Sequence, residues 1–320
     1  MALTYFKGIN AVGDAQLNTI IESNIIGYID WGFLTVGGYF NVAIPQSGAY
    51  GQEFSTLRPD HDENYTDGQV WEGARQNWVW EQEVNFQYAS GVQPIQASGV
   101  VVNGLFYNST DPVYGHTIQF PQGRVIFDNA VNLNDTVQVS HSYKQFHVAS
   151  NEHPYFRELM FNSFRSDDDT FGLAASGQWN INPENRVQLP AIFVEVMGSR
   201  KYGGYQLGGG QRVTQDVFFH IFAEDSWSRN LAIDAIANQG RSTLFMFDLN
   251  KMADLGAFPL DYEGALLDGS LNYPTLTDSS GPYFFNRMFV DNVRVDNVRS
   301  TIPLFRGQVK WTVEIDIGNI

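Results

Sequence analysis

Short apolar and polar segments follow one another along this chain, and Gly, Pro, Asn and Asp interrupt the pattern throughout. Such a pattern is typical of short strands joined by turns. The strongest signal covers residues 309–317, where apolar and polar side chains alternate strictly. Because alternate side chains of a strand share one face, this segment predicts a strand with one buried face.

The middle of the chain carries further β signals. In residues 100–107, apolar runs on both sides of Asn103-Gly104 predict a hairpin with a two-residue turn. A strand is also predicted over residues 136–148. We interpret residues 91–150 as a small β-sandwich or barrel module.

The first part of the chain is also predicted to be rich in strands. Residues 20–44 mix β-branched and aromatic residues with glycines, which predicts strands with bulges or tight bends. Residues 50–75 are polar and predict a long exposed loop. Residues 1–90 therefore form a β-rich segment that either folds independently or completes the C-terminal sheet, and the pattern leaves both options open.

The spacing of apolar residues along the sequence changes after residue 150. Pro154 near a first turn predicts a helix that ends by Ser166. Buried strands are predicted over residues 187–197 and 212–223, and the glycine-rich stretch between them predicts a long hairpin over residues 197–211.

A second helix is predicted after this hairpin. Asp225 or Ser226 caps it, Gly240 ends it, and its apolar residues cover more than half of its circumference, which predicts packing on both sides. The predicted fold class is α+β and mostly β. It combines the β-module with a C-terminal α+β domain, residues 151–320, that has a long β-hairpin and one or two packed helices.

Composition narrows the function classes. The 320 residues include 35 acidic and 19 basic side chains, a net charge of −16, which disfavours specific binding of nucleic acid or of an anionic membrane. No cysteine is present, which excludes thiolate metal sites and cysteine nucleophiles. The N-terminal residues lack the pattern of a secretory signal. Low charge (17%) with abundant aromatic residues (14%) suits a subunit that buries surface against its neighbours.

The sequence lacks the familiar motifs of catalysis and of cofactor binding. The glycines of residues 203–210 are not followed by the Lys-Ser or Lys-Thr of a phosphate loop, and Asp167-Asp168-Asp169 lacks the glycine and distal glutamate of a calcium loop. No serine has a G-x-S-x-G context. The six histidines show no metal-site spacing; they are His61, His116, His141, His147, His153 and His220. We expect no catalytic residue, no cofactor, no metal and no enzymatic activity.

Aromatic residues offer an alternative function. Trp78 and Trp80 lie beside predicted strands, and exposed indole rings stack on sugars. The alternative function is therefore carbohydrate binding through these aromatic side chains.

A family resemblance comes from about a third of the chain. It rests on Pro190-Ala191-Ile192-Phe193-Val194-Glu195-Val196, on Gln206-Leu207-Gly208-Gly209-Gly210, and on Asp216-Val217-Phe218-Phe219-His220-Ile221-Phe222-Ala223-Glu224-Asp225 with the helix from Ser226. This succession of strand, extended hairpin, strand and capped helix, closed by a paired edge strand, resembles the tail-completion proteins of tailed bacteriophages, also called tail terminators or head-to-tail joining proteins.

The resemblance implies a structural protein of the virion, assembled in the host cytoplasm. It implies a ring of identical subunits, a hexamer, at the head-to-tail neck. The ring would terminate the tail tube and join the head-side connector, and it would also hold the sheath if the tail is contractile, while genomic DNA passes an acidic channel without specific binding. In this context the alternative is a carbohydrate-binding virion module in a baseplate, a fibre or a capsid decoration. Edge strands would pair across subunits, and the hairpin would reach a neighbour through Arg200, Lys201, Tyr202, Tyr205 and Leu207.

Overall fold

A computed structural model gives the fold. It describes residues 16–44, 54–86, 92–157, 159–160, 172–173, 179–182, 185–186, 188–204, 210–296 and 304–317, with backbone only between 172 and 186. The fold class is α+β and mostly β, as predicted, with 40% strand and 19% helix. The helices are α1 (Leu17–Thr35), α2 (Pro154–Arg157), α3 (Ser226–Ala237), α4 (Leu249–Asp254) and α5 (Tyr273–Leu276).

The chain divides into two compact units. The larger unit combines Met1–Trp31, His147–Ala257 and Tyr273–Ile320, and the smaller unit combines Gly32–Phe146 and Phe258–Asn272. This division differs from the sequence-based domains 1–90, 91–150 and 151–320, because strands from before residue 91 pair with strands that follow it.

The smaller unit contains three sheets. Its strands are β1 (Tyr39–Val42), β2 (Arg58–Pro59), β3 (Val70–Glu72), β4 (Gly99–Val102), β5 (Leu105–Asn108), β6 (His116–Gln119), β7 (Arg124–Phe127), β8 (Val137–Gln138) and β9 (His141–Lys144). They form the sheets β2-β3-β7-β6, β5-β4-β8 and β1-β9. One core holds the first two together, and it includes Trp71, Trp78, Val100, Val125, Phe127 and Val137.

The predicted hairpin at Asn103-Gly104 is confirmed. It joins β4 to β5, and both turn residues have positive φ, 51° for Asn103 and 84° for Gly104. Positive φ at both central positions defines the turn that matches strand twist, and Asn and Gly adopt it at low cost.

Two other predictions for this region need correction. Residues 136–148 do not form one strand, because they contribute to β8, β9 and β10, each in a different sheet. The alternation of apolar and polar residues indicates which face of a strand is buried, but it does not indicate where the partner strand changes. The exposed loop predicted over residues 50–75 contains β2 and β3, and the Trp71 side chain of β3 is fully buried.

The strands predicted within residues 20–44 are mostly wrong, because α1 occupies residues 17–35. Four buried side chains, Ile21, Ile25, Ile29 and Phe33, follow one another at intervals of four residues. That interval keeps them on one face of a helix, and this period outweighs the β preference of isoleucine.

The larger unit contains a sheet of six strands. Its strands are β10 (His147–Ser150), β14 (Ala191–Gly204), β15 (Gln211–Ala223), β16 (Thr243–Phe247), β17 (Phe284–Asp296) and β18 (Phe305–Ile317), while β11 (Gly172–Leu173), β12 (Trp179–Asn182) and β13 (Asn185–Arg186) form a small separate sheet. The order in the large sheet is β10-β14-β15-β18-β17-β16. Among the strands that the structure describes in this sheet, only β10 and β14 form a parallel pair.

The alternation predicted over residues 309–317 is confirmed in β18, where Val309, Trp311, Val313 and Ile315 are fully buried. The family resemblance, however, implied a closing edge strand. β18 lies between β15 and β17, and the edges of the large sheet are β10 and β16.

Helix α3 packs on β15 and β18. Asp225 is its N-cap, as predicted, and Trp311 Nε1 donates a hydrogen bond to Ile236 O over 3.2 Å. Packing on both sides of this helix is not found within the described residues, since Trp227 is 67% exposed. The predicted helix at Pro154 is present as α2, but Ser166 and the Asp167-Asp168-Asp169 run lie outside the described residues.

Burial of His141 gives the fold a pH dependence. The ring stacks on Trp78 at 4.2 Å between centroids, and burial lowers the pKa of His141 to about 4. Below about pH 6.5 the unfolded chain binds a proton that the folded chain does not, so stability falls between pH 6.5 and pH 4. We expect the free energy of unfolding to be about 2 kcal/mol lower at pH 5 than at pH 7 from this group alone.

Urea unfolding at several pH values measures this effect. His141→Phe retains an aromatic ring against Trp78. In this variant the free energy of unfolding should depend less steeply on pH between pH 5 and pH 7, because one proton fewer is bound on unfolding. Burial also lowers the pKa of His116, His153 and His220, so a residual slope is expected in the variant. Identical slopes for the two proteins would contradict the assignment to His141.

Candidate interaction surface

The predicted long hairpin is confirmed and consists of β14 and β15. The two strands pair from Ala191 opposite Phe222 to Gly204 opposite Gln211. Burial decreases along β14, from fully buried side chains at residues 191–194 to exposed ones at residues 201–204. We call residues 195–204 of β14 the arm.

The arm has an open backbone edge. β10 pairs with β14 only up to Val194, whose carbonyl also accepts a hydrogen bond from Asn151 N over 2.9 Å. Beyond Val194, β15 is the only strand among the described residues that pairs with β14. An unpaired strand edge presents amide and carbonyl groups that another strand can bond.

A bulge bends the arm at its base. Val196 faces Val217 and Arg200 faces Gln215, so β14 has two residues more than β15 over this interval. The Met197 carbonyl in the bulge accepts a hydrogen bond from the side chain of Gln215. Bulges increase local twist and change the direction of a strand, and this one separates the arm from the buried part of β14.

Three of the predicted hairpin residues, Arg200, Lys201 and Tyr202, lie in paired strand. Arg200 Nη2 donates to Asn18 Oδ1 of α1 over 2.8 Å, so Arg200 is fixed to its own subunit. Tyr202 is 57% exposed, and Lys201 is exposed on the opposite face. The other two predicted residues, Tyr205 and Leu207, lie outside the described residues.

Among the described residues, one face of the large sheet is open towards the hairpin tip and carries ion pairs between neighbouring strands. Arg212 contacts Asp316 at 2.8 Å and Glu314 at 3.2 Å, and Lys310 contacts Asp216 at 2.7 Å. Burial opposes the shift, but the bonds from Lys310 and Thr312 hold the pKa of Asp216 below its usual range. Opposite charges on adjacent strands stabilise the pairing.

The charges of this open face balance. Cations and anions are present on it in similar number: the cations are Lys201, Arg212, Arg287, Arg294 and Lys310, and the anions are Glu195, Asp216, Asp296, Glu314 and Asp316. The acidic excess of the chain therefore lies elsewhere. The open face has no property of a strongly acidic wall.

Near its buried end the open face carries His220. Its Nε2 lies 2.7 Å from Glu195 Oε2, and Phe156 packs 5.0 Å from its ring. Burial lowers the pKa of His220, although the nearby Glu195 carboxylate raises it. A histidine and a carboxylate in contact are two parts of a catalytic set, but no nucleophile in the described residues contacts them.

The edge formed by β16 is closed. Asn24 of α1 donates from Nδ2 to Phe247 O over 2.9 Å and accepts from Phe247 N over 2.7 Å. Tyr273 Oη donates to Phe245 O over 2.7 Å. Side chains thus satisfy backbone groups that an added strand would need.

A second open edge belongs to β17. β16 pairs with β17 only between Phe284 and Phe289, and Val290 bonds the residues just before β16. For residues 291–296, β18 is the only paired strand within the described ranges. Most of these side chains are exposed, Val295 by 43%.

The alternative sugar site is not supported. Trp78 is fully buried and donates from Nε1 to Arg75 O over 2.8 Å, so its ring cannot stack on a sugar at the surface. Trp80 is half-buried, and Lys144 Nζ lies 5.7 Å from the centre of its ring.

The described part of the chain contains neither a metal-binding cluster nor a membrane-spanning helix. No group of three or more His, Cys, Asp or Glu residues there has the geometry of a metal site. None of the described helices has both the length and the apolar content that a membrane span requires. No protein-family model matches the sequence, and no curated protein matches it.

Sequence reasoning found the arm but missed β17. The glycine-rich connection between two apolar strands indicated the hairpin. Residues 291–296 carry exposed polar positions, and only the short length of β16 makes their edge open. Strand order is a tertiary property, so a single sequence gave no signal for this edge.

Proposed function

We propose that this protein is a structural subunit of a tailed-phage virion that forms a homo-oligomeric ring at the head-to-tail neck. The observation that carries the proposal is the arm, a bent extension of a two-strand hairpin with an open edge. Lys201 and the bulge give the arm partial protection, but monomeric proteins normally cover or shorten an edge as long as residues 195–204, so this open edge favours a partner. The sequence resemblance to tail-completion proteins supplies the location.

The closed and open edges support self-association. A heterologous contact joins two different surfaces of one subunit and generates a ring when the rotation closes. The large sheet has two different open edges, one on β14 and one on β17. In the proposed neck, the ring terminates the tail tube and meets the head-side connector, and in a contractile tail it also holds the sheath.

Charge is consistent with a conduit for DNA. A net charge of −16 repels a polyanion and prevents the counterion release that drives tight binding. Because the charges of the open sheet face balance, the acidic channel of this proposal requires another surface.

The proposal predicts concentration-dependent assembly of the purified protein. Sedimentation velocity over a range of concentrations, with negative-stain imaging of the largest species, should give a discrete closed oligomer. Neutral-pH buffers of low and high salt separate electrostatic from apolar contributions. A monomer at all concentrations, also in the presence of tail-tube protein, would contradict the proposed function.

A further inference from the structure

We propose that the arm of one copy pairs, strand to strand, with residues 291–296 of β17 in the next copy. The inference rests on the proposed self-assembly and adds the partner surface. The contact would continue the large sheet from one subunit into its neighbour. Because two different edges meet, each subunit would contact one copy through its arm and another through β17.

Strand direction supports this pairing. β14, β15, β18 and β17 are joined by successive antiparallel pairs, so β14 and β17 run in opposite directions. When a second sheet is placed beside the first in the same orientation, its β14 is antiparallel to the β17 that it meets. Antiparallel addition forms the more stable type of ladder.

Charge supports the same partner. The arm contains Arg200 and Lys201, and Glu195, its acidic residue, contacts His220. Residues 291–296 carry two aspartates and one arginine, and Arg294 already contacts Asp296 at 3.0 Å. The basic edge and the acidic edge therefore attract each other.

Other partners for the arm fit less well. Asn24 and Tyr273 occupy the backbone groups of β16, so that edge cannot accept a strand without losing these bonds. Pairing of two arms would bring their cations together and would close a dimer around a two-fold axis. The β17 edge avoids both penalties.

The pairing also sets an offset between subunits. The open part of β14 lies towards the hairpin tip, level with residues 310–317 of β18, whereas the open part of β17 is level with residues 308–312. Matching the cations of the arm to the aspartates of β17 requires a shift of a few residues along the strands. A closed ring accommodates such a shift through strand tilt.

Disulfide cross-linking tests the pairing without background, because the chain has no cysteine. One protein carries Lys201→Cys. It is mixed in turn with Asn292→Cys, Arg294→Cys and Asp296→Cys, which share its face of the sheet and span the possible registers. Disulfides require Cβ atoms within about 4.5 Å, so a cross-link between two chains reports close strand pairing.

We expect one of these mixtures to give a covalent dimer in high yield under mild oxidation, and the corresponding double variant to give a ladder of multimers up to the ring size. Lys201→Cys mixed with Thr243→Cys is the matched control, since Thr243 lies on the same face in β16, whose edge is closed by side chains at Phe245 and Phe247. That mixture should give at least ten-fold less dimer. Gly203→Cys provides a second arm position on this face if Lys201→Cys prevents assembly.

The outcomes separate the two proposals. If the unmodified protein forms oligomers but no arm and β17 mixture cross-links, the pairing is wrong and self-assembly stands. Cross-linking to Thr243→Cys at equal yield would also overturn the pairing. If the unmodified protein stays monomeric, the proposed function itself fails.

Discussion

Replacing Lys144 with methionine should lower the free energy of unfolding by about 3–5 kcal/mol. The Lys144 ammonium and the Glu81 carboxylate form an ion pair in which both side chains are about 95% buried, with exposures of 6% and 5%. Glu81 also accepts a hydrogen bond from Trp80 N over 3.2 Å. Without the lysine, the carboxylate retains this weaker bond but remains a buried charge, which is the origin of the large cost.

A double variant distinguishes the contribution of the ion pair to stability from the cost of leaving one buried charge unpaired. Glu81→Leu combined with Lys144→Met removes both charges and should recover at least half of the loss, because the desolvation cost disappears with the ion. Lys251→Met, at an exposed lysine whose Nζ donates a hydrogen bond to Phe284 O over 2.9 Å, is the control and should change the unfolding energy by less than about 1 kcal/mol. Urea denaturation of the four proteins gives the comparison. Equal loss in the single and double variants would contradict this account.

Replacing Asn24 with alanine should cost about 2–4 kcal/mol, since it leaves the buried N–H and carbonyl groups of Phe247 without their partner. The Asn24 side chain is 1% exposed and also donates to Ile20 O over 2.8 Å within α1. Thermal and urea unfolding measure the loss.

Asn230→Ala, at an exposed position of α3, is the control for Asn24→Ala and should be nearly neutral. Opening of the β16 edge should also increase light scattering at high concentration, because unpaired strand edges promote aggregation. A variant as stable as the parent protein would show that Asn24 does not support this edge.

Local signals explain which parts of the fold could be predicted. The Asn103-Gly104 turn, the N-cap at Asp225 and the alternation in β18 depend on residues close in sequence, and all three are confirmed. Helix α1 was missed because its isoleucines favour strands, although their spacing of four residues carried the helical signal. In that segment the four-residue spacing of apolar side chains is a stronger indicator of secondary structure than residue composition.

Features of the interaction surface that depend on residues distant in sequence could not be predicted from the sequence. The arm was indicated by a glycine-rich connection, but the role of Arg200 was not, because its contact with Asn18 joins residues that are 182 positions apart. The open edge of β17 follows from strand order and from the length of β16. Trp78 was a candidate for sugar binding by residue type alone, and its burial depends on strands contributed by distant segments.

The chain path of the larger unit has a consequence for biosynthesis. β18, residues 305–317, lies between β15 and β17, so these two strands have no common neighbour until the ribosome has passed that segment. A nascent or truncated chain therefore lacks the platform that positions both open edges. Copies of the protein should therefore become competent to associate through these edges only after β18 has been synthesised.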